Sequence, residues 1–387
     1  MRIAGWVWMV GILAGCGADQ ALSDLGADLS SGDGPLVAVD AGHDAGSGLI
    51  PNPIISRGKP TASMQTGAAT VVDGKYKNDS WQGGNPSVGS PARLAIHVGG
   101  GYSRLLLSWN AGGSYNYLET DFGSPLDYHL EVSGDSTDGS DGTWTSVADV
   151  TANTVRTRAH SFAFTGKSWV RMVVTAAPAV SPNGVQIDEI DVHDVSHGSD
   201  DTWFFMGDSI TAFWADRSDQ TPTHQPSFAA GINQRHPSYF PLMIDGGIGG
   251  EKSTEGVAHI DAWLALNPDC KYWGIGYGTN DSAGNTMSPT TFKANMQTII
   301  DHIKAAGRIP VLARIPYSTD GQHDYIPAFN TAIDALTASN NLRAGPDFYT
   351  WFLAHPTELV DQIHPNDTGI RSMAKLWTDA MEGLYAP

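Results

Sequence analysis

An all-β sandwich followed by an α/β layered domain with a parallel sheet is the fold class this chain predicts, and three features of its sequence predict it. Between residues 54 and 195, short alternating runs are separated by clusters of Gly, Asn, Asp and Ser, and no amphipathic helix interrupts them. From about residue 201 onward, strand-like runs alternate with helical stripes, as β-α-β units require. Residues 17–53, by contrast, carry six Asp and no Lys or Arg among Gly, Ala and Ser. Such a segment buries too little apolar surface to offset the entropy of ordering it, so we expect a flexible acidic linker there. The expected domains are thus 1–16 as an export signal, 17–53 as linker, 54–195 as sandwich and 201–387 as the α/β domain.

The chain has 387 residues, enough for two or three domains, and a formal charge of −19 from 22 Lys and Arg against 41 Asp and Glu. With no basic stripe to set against that charge, no nucleic-acid partner is expected. At the start, Arg2 precedes an apolar run, Ile3 to Ala14, too short to span a bilayer, and Leu13-Ala14-Gly15-Cys16 closes it. This tetrad resembles a bacterial lipobox. The resemblance implies cleavage before Cys16 and lipidation of its sulfur; the plainer reading is an ordinary secretory signal with a chance cysteine. Gly17 rather than Asp follows, so the expectation is an exported protein, lipid-anchored at the outer membrane or cell surface. Cys270, the other cysteine, sits at the entry to a strand and is expected to be buried and inert.

In the sandwich, strands are expected at Arg93 to Val98, Arg104 to Trp109, Tyr128 to Ser133, Ser161 to Phe164, Trp169 to Thr175 and Gln186 to Val195. The phrases ISRGKPTAS at 55–63, VVDGKYKNDSW at 71–81, YHLEVSGD at 128–135, WVRMVV at 169–174 and QIDEIDVHDV at 186–195 resemble discoidin-like domains, galactose-binding-like jelly rolls. That resemblance implies a structural calcium near Asp73 and Asp79. Set against it, Asp in a turn commonly bonds its own backbone, and a calcium needs six or more oxygens. Tyr76, Trp81, Tyr102, Tyr115 and Tyr117 are candidates for stacking on sugar rings, with core packing the competing reading, above all for Trp81.

In the second domain, Trp203 to Met206 reads as a buried strand, as do Pro241 to Ile244, Tyr272 to Tyr277 and Ile309 to Ala313. Helices follow from three stripes: Val257, Ile260, Trp263 and Leu264; Phe292, Met296, Ile299, Ile300 and Ile303 after Ser288-Pro289; and Ile370, Met373, Trp377, Ala380, Met381 and Leu384. Pro289 suits a first helical turn, and Gly307 a helix end.

The chemistry gathers at the ends of these strands. Phe205-Met206-Gly207-Asp208-Ser209-Ile210-Thr211 places a serine just past a strand, on the rim where open α/β sheets bind ligands. Gly246-Gly247-Ile248-Gly249-Gly250, Gly278-Thr279-Asn280-Asp281 and Asp361-Gln362-Ile363-His364-Pro365-Asn366 follow in order. These four blocks resemble those of the GDSL/SGNH hydrolases, over the chain from about residue 200 to its end. The resemblance implies a flavodoxin-like three-layer α/β/α domain. It makes Ser209 the nucleophile, His364 the base and Asp361 its orienting carboxylate. It assigns the oxyanion hole to the Ser209 and Gly250 main-chain N–H groups and the Asn280 side-chain amide.

Each assignment has a physical reason. A serine hydroxyl needs a base during attack, and imidazole has a suitable pKa. Glycine lets main chain approach closely, and a carboxamide donates without adding charge. Asp208 and Asp281 are expected to fix loops by accepting backbone hydrogen bonds. One departure is Asp245, where many relatives have Asn, which bears on loop geometry rather than on mechanism. A second Gly-Asp-Ser, ending at Ser136, lies in a turn-rich loop and reads as a decoy. The spacing D-x-x-H recurs at Asp40/His43, Asp194/His197 and Asp320/His323, of which only the last lies in the α/β domain and competes. No metal or other cofactor is expected in catalysis. The implied activity is hydrolysis of carboxylic esters, with O-acetylated poly- or oligosaccharides the expected substrates. The alternatives are a general short-chain esterase or lipase and a non-catalytic carbohydrate-binding surface protein.

Overall fold

A computed structural model of the chain describes residues 48–75, 80–112, 116–118, 123–179, 184–215 and 227–385. Cys16, most of the expected linker, Asp40, His43, Tyr76, Asp79 and Tyr115 lie outside the described residues.

Nine antiparallel strands open the fold: β1 (Thr61–Ala62), β2 (Trp81–Gly84), β3 (Ala92–His97), β4 (Arg104–Ala111), β5 (Asp127–Ser133), β6 (Thr145–Val150), β7 (Thr157–Ala163), β8 (Trp169–Ala176) and β9 (Val185–Asp194). They form two sheets, ordered β1-β3-β8-β5-β6 and β2-β9-β4-β7. Alternate residues from both sheets, among them Leu94, Leu105, Leu107, Trp109, Leu130, Met172, Ile190 and Val192, meet in one core, as period-2 side chains on facing sheets must. Trp81 is fully buried there, which removes it from the set of candidate sugar-stacking residues, and Tyr102 packs against the same core half-buried.

The second domain runs β10 (Thr202–Gly207), α1 (Ser209–Ala215), α2 (Phe228–Arg235), β11 (Leu242–Gly247), α3 (Ser253–Leu266), β12 (Tyr272–Gly276), α4 (Thr279–Ser282), α5 (Pro289–Ala305), β13 (Ile309–Arg314), α6 (Ile326–Ser339), β14 (Ala344–Asp347), α7 (Phe348–Ala354) and α8 (Asp367–Tyr385). All four strand pairings are parallel, in the order β11-β10-β12-β13-β14. Numbered within the domain this is 2-1-3-4-5, the flavodoxin-like order, whose reversal leaves a crevice between the first and third strands. Consecutive β10 residues face opposite layers: Phe204 and Met206 pack with Ile260, Trp263 and Phe292, while Trp203 and Phe205 pack with Trp214, Phe228 and Trp377. Burial on both faces is why the run is apolar throughout. Helix α5 starts where expected, with the Ser288 hydroxyl accepting the Thr291 N–H and Pro289 in the first turn. Gly307 follows its end at φ +72°.

The two domains share a core. Leu106, Tyr117, Val155, Ala159 and Val195 from the sandwich side join Phe204, Ile244, Trp263 and Tyr277. Tyr117 is fully buried, its ring edge-on to Phe204 and Trp263 at 5.4 and 5.5 Å, which removes it from the set of candidate sugar-stacking residues. The linker also ends sooner than expected. Leu49 packs with Trp203, and the Asn52 amide donates to Asp201 O at 3.4 Å while Asn52 O lies 2.9 Å from His193 Nδ1. Residues 48–53 hold apolar and amide groups that composition averaged over 17–53 conceals.

Candidate active site

Ser209 is the first residue of α1, directly after β10, so its hydroxyl stands at the C-terminal edge of the sheet, beside the crevice. Gly207 makes that turn possible, because a Cβ there would meet the Thr211 hydroxyl and Gly276 O. The Ser209 Oγ lies 2.8 Å from His364 Nε2, and His364 Nδ1 lies 2.7 Å from Asp361 Oδ2. The other Asp361 oxygen accepts the main-chain N–H groups of His364 at 2.7 Å and Ile363 at 3.2 Å. Partial burial pushes the Asp361 carboxyl up, but these bonds and the His364 ring outweigh it and hold the group below the usual carboxylate range. The side chain nonetheless remains 53% exposed. Gln362, between the pair, sits at φ +76°. Its carbonyl accepts Thr319 N–H at 3.1 Å and the Ser318 hydroxyl at 3.2 Å, so a neighbouring loop braces the turn that presents His364.

Gly250 adopts φ +81° with nothing within 4 Å of where a Cβ would stand. Backbone conformation rather than crowding therefore calls for glycine here. Asn280, in the short helix α4 after β12, donates one amide hydrogen to Glu251 O at 3.0 Å, leaving the second of its two N–H groups for another acceptor. Asp281 accepts Ser253 N–H at 3.0 and 3.1 Å and also bonds its hydroxyl. The loop after β11 and the turn after β12 are thereby tied together. Asp208 Oδ1 accepts Ile210 N–H at 2.9 Å. Both acids thus sit where a loop-fixing role puts them.

Glu251 was not singled out from the sequence, although a lone carboxylate after a run of glycines is a signal. It is buried, and its carboxylate takes the Tyr277 hydroxyl at 2.7 Å and lies 2.7 Å from His259 Nδ1. Burial raises the pKa of Glu251, Asp208 and Asp281, with Asp208 reaching about 7.

The other candidates fall elsewhere. Ser136 lies in the β5–β6 loop, its hydroxyl bonded to Asp141. His323 and Asp320 form a 2.7 Å pair in the loop that braces Gln362. Asp194 caps Ser196, and His197 is exposed. Asp73 accepts Lys75 N–H at 2.8 Å, with the Lys75 ammonium 4.0 Å from its other oxygen. Asp79, the other carboxylate considered for a calcium, lies outside the described residues, and among the described residues no three His, Cys, Asp or Glu side chains gather as metal ligands. Cys270 is buried.

Residues 205–371 match the GDSL-like lipase/acylhydrolase family. No curated protein sequence matches the chain. Among solved structures, a lipase/acylhydrolase from Enterococcus faecalis is 19% identical, with 47% of this chain and 95% of that one covered and a TM-score of 0.39. The YxiM protein of Bacillus subtilis is 14% identical over 75% of this chain and 80% of its own, with a TM-score of 0.43. An acetyl xylan esterase, AlAXEase, is 20% identical over 47% and 98%, with a TM-score of 0.37. The α/β half of the chain, with the serine at its sheet edge, is a GDSL-like lipase/acylhydrolase domain, of the acylhydrolase and esterase family.

Proposed function

We propose that the chain is a serine esterase that cleaves O-acetyl and related carboxylic esters on carbohydrates through an acyl-enzyme. The observation that carries the reading is the continuous line from Ser209 Oγ through His364 to Asp361, with separations of 2.8 and 2.7 Å. Ser209 Oγ attacks the ester carbonyl carbon as His364 Nε2 takes its proton, and the carbonyl oxygen becomes an oxyanion. The N–H groups of Ser209 and Gly250 and the second amide hydrogen of Asn280 receive that charge. As the tetrahedral intermediate collapses, the C–O bond to the alcohol breaks and His364 returns the proton to the leaving oxygen. Water then repeats the sequence on the acyl-enzyme, releasing the carboxylic acid and restoring Ser209. Hydroxyl, imidazole and neutral donors account for every bond, so no metal or cofactor is expected.

A large alcohol portion is favoured by the open rim. Asp361 is more than half exposed, and the space above Gly249 and Gly250 is clear, so a polymer can lie across the site while only its acyl group enters. The lipobox at 13–16 supports export with a lipid anchor on Cys16. The test is acetate release from acetylated glycans beside hydrolysis of a small acetyl ester. Ser209→Ala should lose on the order of 10⁴-fold in kcat, and Ser136→Ala should keep wild-type rates; an active Ser209→Ala chain would overturn the assignment.

A further inference from the structure

Strand β11 is the edge of the parallel sheet, and its C-terminal end leads directly into the Gly250 loop. Two residues of the sandwich side grip that end. Arg156 Nη2 bonds Asp245 Oδ2 at 2.9 Å, with both side chains almost wholly buried, and Asp245 Oδ1 accepts Gly247 N–H at 2.8 Å. Tyr117 donates its N–H to Gly247 O at 3.0 Å and accepts Arg156 N–H on its own carbonyl at 3.1 Å. Its hydroxyl accepts from the Asn267 amide at the end of α3 at 3.1 Å. One residue further on, Ile248 N–H reaches Gly207 O at 3.0 Å, two residues before Ser209. The peptide unit joining Gly247 to Ile248, which opens the glycine loop, is thus held at its carbonyl by Tyr117 of the sandwich and at its N–H by the nucleophile turn, while the Gly247 N–H is held by Asp245, itself engaged by Arg156.

We infer that the β-sandwich is a working part of the active site, in which Arg156 and Tyr117 position the Gly250 loop through Asp245 and Gly247. Arg156 is a positioning residue. Asp245, where a neutral Asn would supply only the Gly247 acceptor, adds the charge that engages it. Arginine suits the task because its planar fork fixes direction as well as charge. This rests on the reading of Gly250 as an oxyanion donor.

The experiment compares Arg156→Leu, Asp245→Asn and the double variant in the full chain, by kcat and KM on a small acetyl ester and by the rate at which a fluorophosphonate labels Ser209. Folding is followed by circular dichroism. Arg156→Leu removes the cation beside a buried carboxylate, and the loop should move to hydrate it. We expect kcat and the labelling rate to fall roughly 10- to 100-fold with KM little changed, within the range of losing one oxyanion donor. The double variant, which restores a neutral acceptor for Gly247, should recover most of that loss. A merely structural role would lower the melting temperature without this recovery in kcat. If Arg156→Leu does not fold, Asp245→Asn and the double variant carry the test, with the single variant slower than the double. Wild-type kcat in every folded variant would overturn the inference. An inactive wild-type chain, or an active Ser209→Ala control, would instead overturn the esterase reading itself.

Discussion

Replacing Asp361 by Asn forces a choice whose cost can be worked from the geometry. In the native turn one carboxylate oxygen accepts two main-chain N–H groups and the other faces His364 Nδ1. An asparagine that keeps its oxygen on the main chain points its NH₂ at Nδ1. That arrangement favours the tautomer with hydrogen on Nε2, which cannot take the Ser209 proton. The flipped amide restores the working tautomer but turns its NH₂ toward the Ile363 and His364 N–H groups. Two hydrogen bonds are then lost, at about 0.5–1.5 kcal/mol each, or about 1–3 kcal/mol together, which corresponds to roughly 5- to 150-fold in rate. Because the side chain is 53% exposed, water can satisfy part of what is lost. The expected fall in kcat is therefore about 10- to 100-fold, well short of the roughly 10⁴-fold known for a buried orienting aspartate. Steady-state hydrolysis of a small acetyl ester near pH 8, with KM measured separately, reads it. A kcat within threefold of wild type would show that something else orients His364, and a 10⁴-fold loss would show that solvent does not relieve this turn.

Two further outcomes follow from single positions. Gly250→Ala meets no steric obstacle but places an L-residue at φ +81°, at a cost of about 1–2 kcal/mol; kcat should drop as the loop relaxes, and unchanged kcat would remove Gly250 from the oxyanion hole. Asp208→Asn should become relatively more stabilising as pH rises. Burial lifts the native pKa from 3.8 to about 7, so the folded chain retains a proton that the unfolded chain releases. The stability this contributes is complete below about pH 4 and is lost as pH climbs through about 7. Melting temperatures of variant and wild type should therefore diverge in the variant's favour between about pH 5 and pH 8, and a difference independent of pH would contradict the buried-acid account.

Much of this was legible in the sequence because period and punctuation are local. The apolar runs of β10, β12 and β13 and the stripe of α5 announce themselves. Strands β1, β2, β6 and β14 do not. β1 has two residues, β2 is Trp-Gln-Gly-Gly, β6 is a largely exposed edge strand, and β14 is Ala-Gly-Pro-Asp on the sheet edge; each is held by neighbours rather than by its own pattern. Ser209, Gly250, Asn280, Asp361 and His364 could be chosen by motif and order. Glu251 had only its place after a run of glycines to mark it, and Gln362 and Arg156 had nothing local, because what marks them is a backbone angle and a partner 89 residues away.

The same distinction bears on how the sandwich meets the α/β domain. Read in sequence, Leu105-Leu106-Leu107 breaks the alternation of an antiparallel strand with one face in water. In the structure Leu105 and Leu107 enter the sandwich core, while Leu106 enters the core shared with β10 and β11, so the unbroken run marks a sheet buried on both faces. An edge strand of a parallel sheet needs cover for its free N–H and C=O groups. Here Tyr117 N–H supplies part of that cover at Gly247, next to the loop on which the proposed oxyanion hole depends. Excising residues 54–195 would uncover β11 and leave Asp245 without Arg156, so loss of activity in such a fragment would say nothing about glycan binding. Substitutions that leave Tyr117, Arg156 and Asp245 in place are the ones that can separate binding of the polymer from support of the site.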